Sequence, residues 1–87
     1  MASYELLFKK SVAKDLRVIP KTDLRKLLAR IRALANDPRP PGCQKLSGRE
    51  RYRVRQGSYR IVYEIEDRRL TVLIVRVAHR RETYRNI

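Results

Sequence analysis

The sequence predicts an α+β domain, with an N-terminal helical hairpin packed on one face of a four-stranded, mainly antiparallel, twisted sheet. Three observations predict it. Residues 11–35 space their apolar side chains three and four apart, as amphipathic helices do. From residue 51 onward the spacing falls to two, the period of strands. Between two of those strands sits Gly57-Ser58, the punctuation of a tight hairpin. At 87 residues, 43% apolar and 36% charged, the chain has room for a single domain, 1–87, with one modest core and one site.

Each element follows in order. Residues 4–8 form a first strand, with Tyr4, Leu6 and Phe8 on one side. Ser11 is placed to cap a helix bearing Val12, Leu16 and Ile19 on one stripe, which Pro20 interrupts. Thr22 or Asp23 can cap a second helix, where Leu24, Leu27, Leu28, Ile31, Leu34 and Ala35 make the buried face. Asn36-Asp37-Pro38 stops it, and residues 38–48 are an irregular loop. Three more strands cover residues 51–55, 59–66 and 69–78. The last is apolar on both faces, with Leu70, Val72 and Ile74 on one and Leu73, Val75 and Val77 on the other. That pattern marks a central strand.

Register carries more information than strand content. Tyr52 and Val54 share the core face with Tyr59, Ile61, Tyr63 and Ile65 only if 54 opposes 61 and 52 opposes 63. Residue 55 then opposes 60, and Gly57-Ser58 becomes a two-residue loop. Glycine at its first position is what a type II′ turn requires. Burial and turn chemistry agree, and both put Arg53, Arg55 and Arg60 on the face away from the helices.

The charge is lopsided: 22 Lys+Arg against 9 Asp+Glu, a formal +13. Sixteen of the 22 are arginines, whose planar donor fork fits phosphate oxygens. Between residues 45 and 85 twelve basic residues face five acidic ones, a field that attracts a phosphate backbone. The bland alternative is a solvated face on a basic protein. Tyr84, among Arg80, Arg81 and Arg85, can stack on an unpaired base or pack against the sheet edge. His79 suits proton transfer near neutrality, or caps a strand end. Cys43 reads as an inert thiol, and its solitude fits a reducing interior. The longest apolar run is 72–75, so neither signal peptide nor membrane span is expected, and the location is cytoplasmic. Glu64, Glu66 and Asp67 read as local charge balance. No zinc-ligand set, phosphate-loop or dinucleotide pattern occurs, so no metal or cofactor is expected.

Three segments carry a resemblance that spans essentially the whole chain. They are Lys45-Leu46-Ser47-Gly48, the run Tyr52-Arg53-Val54-Arg55-Gln56-Gly57-Ser58-Tyr59-Arg60-Ile61-Val62-Tyr63, and Val77-Ala78-His79-Arg80-Arg81-Glu82-Thr83-Tyr84-Arg85. In this order, after two helices, they resemble the RelE/ParE superfamily of small bacterial toxins. The ending is similar to the RelE branch, whose members cleave messenger RNA in the ribosomal A site. The ParE branch, which poisons DNA gyrase, shares the fold but generally lacks the complete basic and tyrosine site.

The resemblance implies a toxin of a type II toxin–antitoxin pair, acting on A-site mRNA in the ribosome and restrained by a cognate antitoxin. Its paired basic residues fall on Arg53 and Arg55, its next-strand arginine on Arg60, its late arginine on Arg80 and its C-terminal tyrosine on Tyr84. The spacing from Arg80 to Tyr84 is shorter than in some members. Lys45, Arg49, Arg51, Arg76, Arg81 and Arg85 are expected to contact nucleic acid. The implied reaction is attack of a 2′-hydroxyl on its neighbouring phosphate, leaving a 2′,3′-cyclic phosphate and a 5′-hydroxyl. Other members carry lysine at the paired positions, and a lysine has been proposed as their base. Arginine, with a pKa above about 12, cannot readily serve. Either His79 takes the proton, or the ribosome and RNA orient the hydroxyl while the arginines stabilise charge. A ParE-like gyrase inhibitor and a non-catalytic nucleic-acid-binding module are the alternatives.

Overall fold

The computed structural model describes residues 3–46 and 50–81. Along the chain lie β1 (Glu5–Phe8), α1 (Val12–Arg17), α2 (Lys21–Ala33), β2 (Gln44–Leu46), β3 (Arg51–Gln56), β4 (Tyr59–Glu66), a 3-10 turn (Asp67–Arg69) and β5 (Thr71–His79). The sheet order is β1-β5-β4-β3-β2, with β1 parallel to β5 and every other pair antiparallel.

The sheet therefore has five strands where the sequence predicts four. The addition is β2, inside the expected loop, which sets Gln44 opposite Arg53, Lys45 opposite Tyr52 and Leu46 opposite Arg51. Three residues are too few to show a period, and pairing with β3 is what makes them a strand.

The start of α2 also differs. The helix begins at Lys21, with extended Pro20 (φ −56°, ψ 147°) at the cap position. The Leu24 amide donates to the Pro20 carbonyl at 2.8 Å. Thr22 and Asp23 thus fall in the first turn, where an acid still favours the positive helix end. Ser11 does occupy the cap position of α1, but in a helical conformation and without a side-chain cap bond.

The hairpin matches the predicted register residue for residue, from Arg51 opposite Glu64 to Gln56 opposite Tyr59. Gly57 has φ +60°, and Ser58 is not among the positive-φ residues. That combination belongs to the II′ turn.

β5 departs from simple alternation. Val62 of β4 pairs with Arg76 but Tyr63 pairs with Ile74, so Val75 is an extra residue in a bulge. The bulge reverses the phase of the strand. Val72, Ile74 and Val77 all join the helical core, whereas plain alternation assigns Val77 to the other face with Leu73. Leu70 leaves the strand altogether: it closes the β4–β5 turn with φ +51° and is 40% exposed.

The core lies between the helices and one sheet face. Val12, Ile19, Leu27, Ile31 and Leu34 meet Val54, Ile61, Tyr63, Val72, Ile74 and Val77. Each such side chain, fully buried, contributes about 1.5–3 kcal/mol. Tyr4 and Leu6 of the first strand pack partly against this core. Phe8, at its end, stays 47% exposed. Tyr63 is fully buried, and its hydroxyl donates to the Pro38 carbonyl at 2.7 Å. Burial pushes its pKa up, so the phenol stays neutral there. Among the described residues no helix is long and apolar enough to cross a membrane.

Candidate nucleic-acid site

The sheet face away from the helices is organised in rows by the strand register. One row across β2, β3, β4 and β5 reads Gln44, Arg53, Val62 and Arg76. The next, toward the hairpin tip, reads Arg55, Arg60 and Ala78. Val62 is fully buried yet lies outside the helical core. The arginines flanking it have aliphatic stems that suit such a cover while their heads stay polar. Arg53 Nη2 donates to the Gln44 side-chain oxygen, which ties that guanidinium to the edge strand.

The end of β5 brings in one more arginine. The Arg80 amide donates to the Ser58 carbonyl at 2.7 Å, which joins the strand's exit to the hairpin turn. Arg55, Arg60 and Arg80 then line a small open concavity with Gly57, Ser58 and Tyr59, about 130 Å³ in volume. Small-molecule pockets usually measure about 300–1,000 Å³. This hollow suits a phosphate group better than a nucleoside.

The remaining predicted residues divide. Arg51 lies on the same face but is held by Glu64, with Nε and Nη2 at 3.0 and 2.5 Å from one carboxylate oxygen. Lys45 sits opposite Tyr52, on the helical side, and pairs with Glu50 at 3.1 Å. Arg81 is exposed, just past β5. His79 opposes Tyr59 and meets its ring edge-on at 5.3 Å. Tyr59 packs against the helical core, so the imidazole stands on that side of the sheet, away from Arg55 and Arg60. Its Nδ1 accepts the Arg81 amide at 3.2 Å. Arg49, Tyr84 and Arg85 lie outside the described residues.

The opposite end of the sheet holds a polar network absent from the sequence-based expectations. Arg39 donates to both carboxylate oxygens of Asp67, at 3.2 and 3.0 Å, and through Nε to the Tyr52 hydroxyl at 3.1 Å. Tyr4 donates to Asp67 at 2.8 Å, and Tyr52 donates to Glu50 at 2.8 Å. The Arg39 and Tyr4 donors hold Asp67 below the usual carboxylate range; Tyr52 and Lys45 do the same for Glu50. With Arg51–Glu64, this accounts for Glu64 and Asp67 as local charge balance. It also places these ion pairs at the end of the sheet away from the hollow lined by Arg55, Arg60 and Arg80.

Sequence reasoning missed two contributors to the site, Ser58 as the acceptor for Arg80 and Gln44 as the partner of Arg53. Gly57-Ser58 was visible as a turn, but nothing in its composition shows which strand end its carbonyl meets. Among the described residues no group of three or more His, Cys, Asp or Glu is gathered as a metal ligand set would be.

The family described as ParE toxin of type II toxin-antitoxin system, parDE, matches residues 6–84. The chain belongs to this family, within the RelE/ParE superfamily. Solved structures of superfamily members share the fold closely. The toxin–antitoxin complex RelBE2 of Mycobacterium tuberculosis is similar at 28% identity and TM-score 0.82, over 94% of this chain and 97% of that one. The RelE–RelB complex of the archaeon Pyrococcus horikoshii OT3 gives 28% and 0.82, over 93% and 99%. The RelB–RelE complex of Methanococcus jannaschii gives 29% and 0.71, over 85% and 89%. No curated protein sequence matches the chain significantly. The family description carries the ParE name while these structural relatives are RelE proteins, and the superfamily contains both.

Proposed function

We propose that this family member is the toxin of a type II pair and acts as a metal-independent, ribosome-dependent endoribonuclease on A-site mRNA. One observation supports this most: the Arg80–Ser58 bond gathers Arg80, Arg55 and Arg60 around a hollow of phosphate size. Arg53 and Arg76 extend the positive track one row further along the same face.

In this reading the 2′-hydroxyl of one nucleotide attacks the adjacent phosphorus and the 5′-oxygen leaves. Negative charge grows on the non-bridging oxygens during the attack. Guanidinium donors fixed before the reaction stabilise that charge without reorganising. In-line alignment of the attacking and leaving oxygens supplies much of the remaining acceleration, and a chain of 87 residues relies on the ribosome for it. With His79 on the helical side, the version in which ribosome and RNA orient the hydroxyl is favoured over a histidine base. The RelE relatives from M. tuberculosis and P. horikoshii are complexes with antitoxin partners. A partner bearing carboxylates fits the +13 charge of this chain.

The deciding experiment maps 3′ ends on one mRNA with and without ribosomes. New ends within the A-site codon, dependent on ribosomes, are expected. Equal cleavage of free RNA would remove ribosome dependence. The match to the ParE family favours a second reading, a gyrase poison; gyrase-dependent DNA breaks without RNA cleavage would select it. Salt-sensitive binding with neither product would leave a binding module.

A further inference from the structure

β1 reaches only as far as Phe8, opposite Ile74. Beyond that point the outer edge of β5 has no strand neighbour among the described residues, and this is where the bulge at Val75 lies. A backbone amide in such a place needs a substitute acceptor. It has one. The Val77 amide donates to Oδ2 of Asp15 at 3.0 Å, from a helix 62 positions earlier in the chain. Asp15 is half-buried in α1.

What depends on Val77 is the arginine site. The bulge phases Arg76 onto the open face; with unbroken alternation after Ile74, residue 76 would enter the helical core. The next residues continue from Val77 without further irregularity: Val77 opposes Ile61, Ala78 opposes Arg60, and His79 opposes Tyr59. Arg80 then reaches the Ser58 carbonyl. Val77 is thus the first residue after the bulge with its side chain back in the core, and Asp15 fixes its backbone.

We propose that Asp15 is a positioning residue for the arginine site, holding the bulged end of β5 so that Arg76 and Arg80 reach the open face beside Arg55 and Arg60. This inference rests on the functional reading above for its kinetic consequences, and on hydrogen bonding alone for its structural ones. A carboxylate suits the task because charged acceptors make the stronger bonds to backbone amides.

The test compares Asp15→Ala, Asp15→Asn and Asp23→Ala in the full-length chain. Asp15→Ala should expose the amides of Val77 and Arg80 to hydrogen exchange, read residue by residue by NMR. In single-turnover cleavage at saturating ribosomes its rate should fall by about 10- to 100-fold, the scale of an ångström-level misplacement. Ribosome affinity should change little. Asp15→Asn retains an acceptor oxygen and should restore protection and most of the rate, which a general loss of helix charge would not allow. Asp23→Ala should match the wild type. If Asp15→Ala is too unstable to study, the asparagine variant still decides: slow exchange at Val77 with a rate near wild type supports the proposal, and slow exchange with a collapsed rate overturns it. Unchanged exchange at Val77 and Arg80 in Asp15→Ala also overturns it. Should the wild-type chain cut no ribosome-bound mRNA, the functional reading fails by itself, and the exchange measurements still judge the role of Asp15.

Discussion

Arg55 and Arg60 stand directly opposite each other across the β3–β4 hairpin. Directly opposed like charges destabilise a sheet, whereas an opposed pair of compatible residues contributes about 0.2–1 kcal/mol. The hairpin thus sets two positive side chains opposite each other at the point where the functional reading needs concentrated positive charge. Arg55→Thr should therefore raise stability by about 0.2–1 kcal/mol, read as a higher urea midpoint, while lowering cleavage. Added phosphate should raise the midpoint of the wild type more than that of the variant, because an anion bound to the native state stabilises it by mass action. A variant less stable than the wild type would mean that the opposed pair does not destabilise the sheet.

Arg80 and the exposed arginines of α2 should separate chemistry from docking. Removing one preorganised donor to a developing oxyanion costs about 2.7–4 kcal/mol, roughly 100- to 1,000-fold. Arg80→Ala should lose that much in single-turnover cleavage at saturating ribosomes, with affinity nearly retained. Arg25 and Arg32 are exposed on α2, on the other side of the molecule from the concavity. Replacing either by Ala should weaken association and leave the saturated rate intact, and added salt should mimic the loss. An Arg80→Ala protein that cleaves normally once saturated would make Arg80 a docking residue.

The parts legible in the sequence are those where two local constraints coincide. Val54 and Ile61 had to share the core, Gly57 had to start the turn, and together they fixed which arginines face outward. β2 was illegible because three residues carry no period. The bulge was illegible for a different reason: the run from Val72 to Val75 is apolar at every position, so burial alone permits either phase after it. Two facts choose the phase, Arg76 at the next position and Asp15 in a distant helix, and only the fold brings them together. Arg39 escaped notice likewise, because Asp67 and Tyr52 are far from it along the chain.

The Arg39–Asp67 network should show itself in acid. Its hydrogen bonds from Arg39 and then Tyr4 depress the Asp67 pKa in the folded state. A depressed folded value contributes stability above the unfolded value, and that stability is lost as pH falls through the folded one. Asp67→Asn should therefore be less stable than the wild type near neutrality, with the gap closing below about pH 4, the ordinary aspartate value. Urea midpoints across that window are the measurement. Because Asp67 and Arg39 are both substantially exposed, the difference is expected to be small. A gap that stays constant down to the acid transition would show that Asp67 acts through packing and not through its charge.

The last prediction concerns the imidazole. His79 opposes Tyr59 on the helical side, and its Nδ1 is engaged by the Arg81 amide, so a proton taken up at that nitrogen would displace an existing bond. The ring and the Arg55–Arg60 pair stand on opposite faces of the sheet. His79→Gln should accordingly leave the shape of the pH–rate profile unchanged. It should cost stability, because the edge-on contact with Tyr59 at 5.3 Å belongs to a class worth about 0.5–1.5 kcal/mol beyond area burial. Single-turnover cleavage at saturating ribosomes, repeated across pH beside urea unfolding, reads both quantities on one protein. If the variant lost the rate limb that a titrating imidazole produces, at unchanged stability, His79 would be a proton carrier and the ring would have to turn toward the arginines when RNA binds. A retained profile with a lowered urea midpoint would make His79 a strand-end contact, and would leave orientation of the 2′-hydroxyl to the ribosome and the RNA.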